Sequence, residues 1–167
     1  DFLNAGESMY FGIMEAYGKG DDDTGDISVP ELIQQPGLWR DGSLKNYSSI
    51  ETVGVTDNDK FATAQKFTVL NQDYYNNDTS FYFTVDFNAQ LDFSAIGKKG
   101  FFKFWIKTPH RVAFKVEVLH TASYLRDATF EIITSDSTEW QEICISRQDM
   151  SISDPNFDFR NLIGIKL

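Results

Sequence analysis

The sequence feature that most constrains the fold is a two-residue alternation of apolar and polar side chains. Within residues 101–107 the apolar positions are Phe102, Phe104 and Ile106, and the positions between them hold Lys103, Trp105 and Lys107. Residues 111–119 repeat the pattern with Val112, Phe114, Val116 and Val118. Successive side chains of a β-strand point to opposite faces, so each segment is predicted to be a strand with one buried face.

Further strands are predicted at 9–14, 80–87, 128–134, 140–146 and 161–167. The only helix signal is a capping box from Ser28 to Glu31, which predicts one short helix over residues 29–35. Many short strands with almost no helix predict an all-β fold, a two-sheet antiparallel β-sandwich (jelly roll) with at most one short helix. At 167 residues the chain is expected to form a single domain, 1–167, in which 1–37 supply a strand, an acidic loop and the helix.

Two more specific expectations follow from the strand patterns. Segments 101–107 and 111–119 are predicted to pair as a hairpin through residues 109–111, with Phe104 opposite Val116. In the strand at 140–146, Trp140 is expected in the core and Cys144 is expected to be a small buried residue.

The charge balance limits the ligands that the chain can bind. Its formal net charge is −10, whereas nucleic-acid binding depends on Lys and Arg neutralising phosphates. The same charge disfavours anionic membranes and acidic polysaccharides. The 15% of aromatic residues exceeds what a core of this size needs, which leaves rings for binding a neutral ligand.

Several segments, in their order and spacing, resemble one family of binding modules. They are Leu91-Asp92-Phe93-Ser94, the strand 100–107, the strand 112–119, Thr138-Glu139-Trp140-Gln141-Glu142-Ile143-Cys144-Ile145 and Asn161-Leu162-Ile163-Gly164-Ile165. Together, over residues 39–167, they resemble the jelly-roll carbohydrate-binding modules with a galactose-binding-domain-like fold. The family has one more strand after the last segment. The chain is therefore expected to be truncated or to supply that strand from its N-terminal region.

The resemblance implies a non-catalytic, secreted, extracellular module attached to a plant-polysaccharide-degrading enzyme or a scaffold, often cellulosomal. Its ligand would be a neutral β-glucan-type polysaccharide such as cellulose, mixed-linkage glucan, xyloglucan or mannan. Aromatic and polar side chains on outward strand positions and loops are the candidate sugar contacts: Trp39, Tyr74, Tyr82, Trp105, His120, Tyr124 and Arg126. For each of them, core packing or a solvated loop is the competing interpretation. The cluster His120, Tyr124 and Arg126 is expected in a ligand-contacting loop spanning 120–127.

The acidic segment 20–31 partly matches a metal-binding loop, and the sequence lacks the catalytic motif of jelly-roll enzymes. Asp22, Asp26 and Glu31 partly match a calcium-binding loop, but Gly20 stands where the first acidic ligand belongs, and helix capping explains the same residues. No cofactor is required, and any calcium is expected to be structural. The Glu-x-Asp-x-Glu string of jelly-roll glucanases does not occur in the sequence. The alternatives to sugar binding are a structural or adhesin-like interaction domain and, third, a lyase or hydrolase.

Overall fold

The computed structural model describes residues 3–19, 26–28, 39–41, 48–70, 83–91, 100–120, 123–152, 157 and 162–166. Within these ranges the regular elements are β-strands and one turn of 3₁₀ helix at Arg147–Asp149. The all-β prediction is confirmed, whereas the helix predicted at 29–35 lies outside the described residues. In the same ranges, no helix has the length and apolar character needed to span a bilayer.

Twelve strands are described, and they form two sheets. They are β1 (Ser8–Lys19), β2 (Asp26–Ser28), β3 (Trp39–Asp41), β4 (Ser48–Gly54), β5 (Thr63–Val69), β6 (Phe83–Leu91), β7 (Phe101–Lys107), β8 (Ala113–His120), β9 (Ser123–Ile133), β10 (Gln141–Ser146), β11 (Ser151–Ile152) and β12 (Leu162–Lys166). Sheet A has the order β10-β7-β1-β5-β4, with β2 paired to β1, and sheet B has the order β11-β9-β8-β12-β6-β3. Every described pair is antiparallel.

The core lies between the two sheets, as expected of a β-sandwich. In β7 the side chains of Phe102, Phe104 and Ile106 are at most 1% exposed, and the intervening positions are only partly buried. Sheet B contributes Val116 and Val118 to the same cluster, so the two predicted alternating faces both point into one core. The sandwich is therefore confirmed, and the jelly-roll connection of its strands stays a prediction.

The predicted hairpin between 101–107 and 111–119 is wrong. Strand β7 pairs with β1 and β10 in sheet A, whereas β8 pairs with β9 and β12 in sheet B. Phe104 and Val116 therefore belong to opposite sheets of the shared core instead of adjacent strands. Alternation specifies which face of a strand is buried, but it does not specify the neighbouring strand.

The segment 108–112 crosses from one sheet to the other and is fixed by hydrogen bonds. The hydroxyl of buried Thr134 accepts from the Val112 backbone N–H at 2.8 Å and lies 3.2 Å from the Thr108 hydroxyl. On the surface of this crossover, Nε2 of His110 is 2.9 Å from Oε2 of Glu7, and its Nδ1 is 2.9 Å from the Arg111 carbonyl oxygen. The crossover is thereby tied to β9 and to the segment that precedes β1.

Strand β10 places Trp140 and Cys144 differently from the prediction. Its register sets Ile143 opposite Phe104 and Cys144 opposite Lys103, so the isoleucines face the core and the cysteine faces outward. Cys144 is exposed and Trp140 is only partly buried, so both expectations of burial are wrong. The strand has one inward face, and Ile143 and Ile145 occupy it.

The N-terminal strand β1 occupies the middle of sheet A. It pairs with β5 on one side and with β7 on the other, and the register with β7 shifts between Phe11 and Met14. One extra residue of β1 is accommodated there, a β-bulge at Gly12-Ile13 opposite Trp105. Bulges bend a strand and change the direction of nearby side chains, and this one lies at the surface described next.

Candidate functional site

A depression of about 610 Å³ lies on the outer face of sheet A, the face directed away from sheet B. Two indole rings line it, those of Trp105 on β7 and Trp140 immediately before β10. The polar lining consists of Thr56, Asp57, Asn58, Asp59 and Glu139. Aromatic faces and hydrogen-bonding groups therefore meet in one surface site.

The polar wall is built by the loop 55–62, which joins β4 to β5. The Val55 N–H donates to the Ala62 carbonyl at 2.9 Å, which closes the base of the loop. Inside it the Asn58 side-chain oxygen accepts from the Lys60 N–H at 2.9 Å, the local turn that asparagine commonly forms. The loop thus has its own hydrogen bonds, and it holds its carboxylates at the edge of the depression.

Phe61 anchors this loop on the sheet at Gly12. A Cβ atom placed on Gly12 would lie only 2.5 Å from the tip carbon of the Phe61 ring. A glycine inside a strand often marks a bulge or the close approach of another group, and here it marks both. The absence of a side chain at Gly12 lets the Phe61 ring rest on the backbone of β1.

The aromatic side chains of the site form a continuous row. The centroid of the Phe61 ring lies 6.4 Å from that of Trp105 and 4.9 Å from that of Trp140. The planes of the Phe61 and Trp140 rings meet at 84°. Trp140 then meets Tyr10 at 6.4 Å and 68°. Edge-to-face contacts of this kind are favourable because the positive edge of one ring meets the negative face of the next. All four rings are partly buried, so they pack together and still reach the surface.

Asp57 connects the loop 55–62 to Trp140 and Lys107. One carboxylate oxygen accepts from Nε1 of Trp140 at 2.8 Å, and the other is 2.5 Å from Nζ of Lys107. Lys107 also lies 5.9 Å from the centroid of the Trp140 ring. The hydrogen bond from Lys107, followed by that from Trp140, lowers the pKa of the Asp57 carboxyl. Asp57 is therefore ionised over the whole neutral range.

The remaining carboxylates, Asp59 and Glu139, are exposed and face the same depression. Ionised carboxylates accept hydrogen bonds and donate none. Among the residues that the structure describes, no three acidic, histidine or cysteine side chains are grouped so that they could hold a metal ion. The described site is thus suited to a ligand that offers hydroxyl donors together with an apolar face.

Of the five predicted sugar contacts that the structure describes, only Trp105 lies in this depression. Trp39, His120, Tyr124 and Arg126 lie in strands β3, β8 and β9, all of which belong to sheet B. The predicted loop at 120–127 is wrong, because β8 extends to His120 and β9 begins at Ser123. The register there sets His120 opposite Ser123.

The other predicted residues are outside the site or outside the description. Tyr74, Tyr82, Asp22 and Glu31 lie outside the described residues. Asp26 is the first residue of β2 and pairs with Lys19 of β1. The calcium site proposed for this region stays a prediction.

Apart from Trp105, the sequence did not identify the residues that line the site, and the residues that build it include Asp57, Phe61 and Trp140. The outward direction of Trp140 could have been inferred, because residues 143 and 145 of the same strand are the apolar pair. Gly12, an isolated glycine in the predicted strand 9–14, was a second usable signal for a bulge or a close contact. No local pattern indicates that the loop 55–62 reaches Trp140.

Comparisons with known proteins add no relative. The chain matches no protein-family model, no curated protein and no solved structure.

Proposed function

We propose that this chain is a non-catalytic carbohydrate-binding module whose site is the depression on the outer face of sheet A. The observation that supports the proposal is the joint lining of this depression by Trp105, Trp140 and the polar side chains of the loop 55–62. Its volume of about 610 Å³ is in the range of known small-molecule clefts.

The chemistry of the lining suits a pyranose. A pyranose has C–H faces that are apolar and a rim of hydroxyl groups. The indole of Trp105 offers a flat, rigid apolar surface with little conformational entropy to lose on binding. Exposed carboxylates such as Asp59 and Glu139 can accept charge-assisted hydrogen bonds from the rim hydroxyls.

The charge of the site supports a neutral ligand. Asp57, Asp59 and Glu139 line the depression, and the cation beside them, Lys107, is paired with Asp57. A polysaccharide of uronic acids would bring further negative charge to a chain of net charge −10. We therefore retain neutral plant cell-wall polysaccharides of the β-glucan type, meaning cellulose, mixed-linkage glucan, xyloglucan or mannan, as the proposed ligands. The proposed context is a secreted enzyme or scaffold of which this module is one part.

Affinity electrophoresis across a panel of neutral and acidic polysaccharides tests the proposal. Wild-type protein should be retarded by at least one neutral β-linked polymer, and Trp105→Ala should abolish that retardation. Ile133→Ala, which changes a side chain 61% exposed on sheet B, is the matched control and should behave as wild type. Tyr124→Ala reports on sheet B itself. If this variant alone lost binding, the site would lie there and the proposed location would be wrong.

The same experiment separates the alternative functions. A wild-type protein that no polymer retards would favour the structural or adhesin-like interaction domain. Release of new reducing ends from a bound polymer would show a hydrolase and contradict the non-catalytic assignment.

A further inference from the structure

We propose that Asp57 is a positioning residue of this site, holding the Trp140 ring and the loop 55–62 in the arrangement that receives the ligand. The inference rests on the proposed function, and it assigns Asp57 a role that acts through Trp140. It concerns how the site is built, and much of its test needs no ligand.

Asp57 reaches Trp140 from the opposite edge of sheet A. Its loop leaves the sheet from β4 and β5, at one edge of sheet A, whereas Trp140 immediately precedes β10 at the opposite edge. Neighbouring strands are about 4.8 Å apart, so the loop reaches across roughly 14 Å of sheet to this contact. Asp57 therefore joins two edges of the sheet that the strand pairing alone connects only through β5, β1 and β7.

Both carboxylate oxygens of Asp57 accept hydrogen bonds from protein donors. One accepts from the Trp140 Nε1–H at 2.8 Å, and the other pairs with Nζ of Lys107. The indole N–H is a donor with a single direction, so an acceptor on it selects one orientation of the ring. Each oxygen accepts one hydrogen bond from the protein, and through the first of them Asp57 fixes the orientation of the Trp140 ring.

The other contacts of Trp140 leave the direction of its indole N–H for Asp57 to fix. Phe61 and Tyr10 meet the ring edge-to-face at 4.9 and 6.4 Å, which confines the ring but gives its N–H no acceptor. Lys107 holds the carboxylate from the β7 side, and the pairing lowers the pKa of Asp57. The acceptor thus stays ionised, and it stays in place, at neutral pH.

The ligand-free test is the ¹H–¹⁵N spectrum of the indole N–H groups, in which Trp140→Phe assigns the Trp140 signal. Asp57→Ala should shift that signal and speed its exchange with water. Asp57→Asn should restore most of both, because the amide oxygen still accepts from Nε1. The control is Asp59→Ala, which removes the neighbouring carboxylate of the same loop and should leave the Trp140 signal unchanged. An unchanged Trp140 signal in Asp57→Ala would overturn the proposal.

Binding and stability complete the test. Asp57→Ala should weaken binding of the retarding polysaccharide about tenfold, and Asp57→Asn should lie within about threefold of wild type. Both variants should keep the wild-type midpoint of urea unfolding to within the loss expected for one surface pair. Wild-type affinity in Asp57→Ala, when Trp140→Ala has lost binding, would also overturn the proposal. If wild type binds no polysaccharide, the proposed function fails, and the indole spectra still decide the role of Asp57.

Discussion

The contact between Phe61 and Gly12 lets us predict how much stability the substitution Gly12→Ala should cost. In Gly12→Ala the new Cβ would lie 2.5, 2.7 and 2.9 Å from three carbons of the Phe61 ring. Non-bonded carbons prefer separations of about 3.5–4.0 Å, so the ring must withdraw by roughly 1 Å. Overpacking of this kind typically costs about 1–3 kcal/mol. Because the affected atoms are the far end of a side chain on a loop, which can shift, we expect a cost of about 1 kcal/mol.

Gly54→Ala is the matched control for this prediction. Gly54 lies in β4, has no atom within 4 Å of an added Cβ, and does not have a positive φ. Both substitutions reduce the entropy of the unfolded chain by a similar amount, which by itself stabilises by about 0.4–1 kcal/mol. The difference between the two variants therefore isolates the contact with Phe61. We expect Gly12→Ala to be less stable than Gly54→Ala by about 1 kcal/mol.

Urea unfolding measured by circular dichroism gives the two free energies, and the Phe61→Ala background gives the test of cause. With the ring removed, Gly12→Ala and Gly54→Ala should become equal in stability. A difference that persists in that background would refute the contact as its origin. Gly12→Ala should also weaken polysaccharide binding, because the displaced Phe61 ring is the neighbour of both Trp105 and Trp140.

Three further predictions follow from the described residues. Trp105→Ala should abolish polysaccharide binding with a small change in melting temperature. The control is Phe104→Ala, which removes a fully buried ring and should lower the free energy of unfolding by about 3–5 kcal/mol. Unfolding of Trp105→Ala would show that the Trp105 ring is part of the core. EDTA should leave binding intact, and loss of binding in a folded, EDTA-treated sample would place a metal in the site. The Arg111 carbonyl, followed by Glu7, raises the pKa of His110 above its usual 6.5, so its stabilising contribution is complete below that pH and is lost as pH rises through the raised value. The pKa of Glu7 is lowered from its usual 4.5, mainly by the hydrogen bond from the Asn4 backbone N–H; burial opposes this effect, and the hydrogen bond with His110 adds to it. The contribution of Glu7 to stability is therefore complete above pH 4.5 and is lost as the pH falls through the lowered pKa. The contact between Glu7 and His110 should therefore stabilise the protein most between pH 4.5 and 6.5. Urea unfolding measured across pH should show a loss of stability on both sides of this range in wild type, and His110→Gln should lack the loss on the alkaline side.

The buried faces of the strands could be predicted from the sequence because a half-buried strand alternates apolar and polar residues along its own length. In β7 every second residue is apolar, and the structure buries those residues. Strand partners leave no such pattern, so the pairing of β7 with β1 and β10 was not predicted. The hairpin expectation rested on matching Phe104 with Val116, and the same match is satisfied when the two residues face each other across the core.

The site was predictable only where a single strand determines it. Trp105 was identified because it alternates with buried neighbours on its own strand. Asp57 belongs to the site through a loop that arrives from the opposite edge of the sheet, a tertiary relation without a sequence signature. Trp140 was misassigned because Ile143 and Ile145, and not Trp140, define the inward face of β10.

The central place of β1 has a consequence for how the chain folds. Its Met14 pairs with Phe104, a residue made roughly ninety positions later in the chain. On its other side β1 pairs with β5, which is also distant in sequence, whereas its last residues, Tyr17 to Lys19, pair with the nearby strand β2. Pairings between distant segments form slowly because the entropy of closing the loop is lost before the contacts form. During synthesis β1 must therefore remain unpaired on its β7 side until β7 has left the ribosome, and this part of sheet A closes only after that.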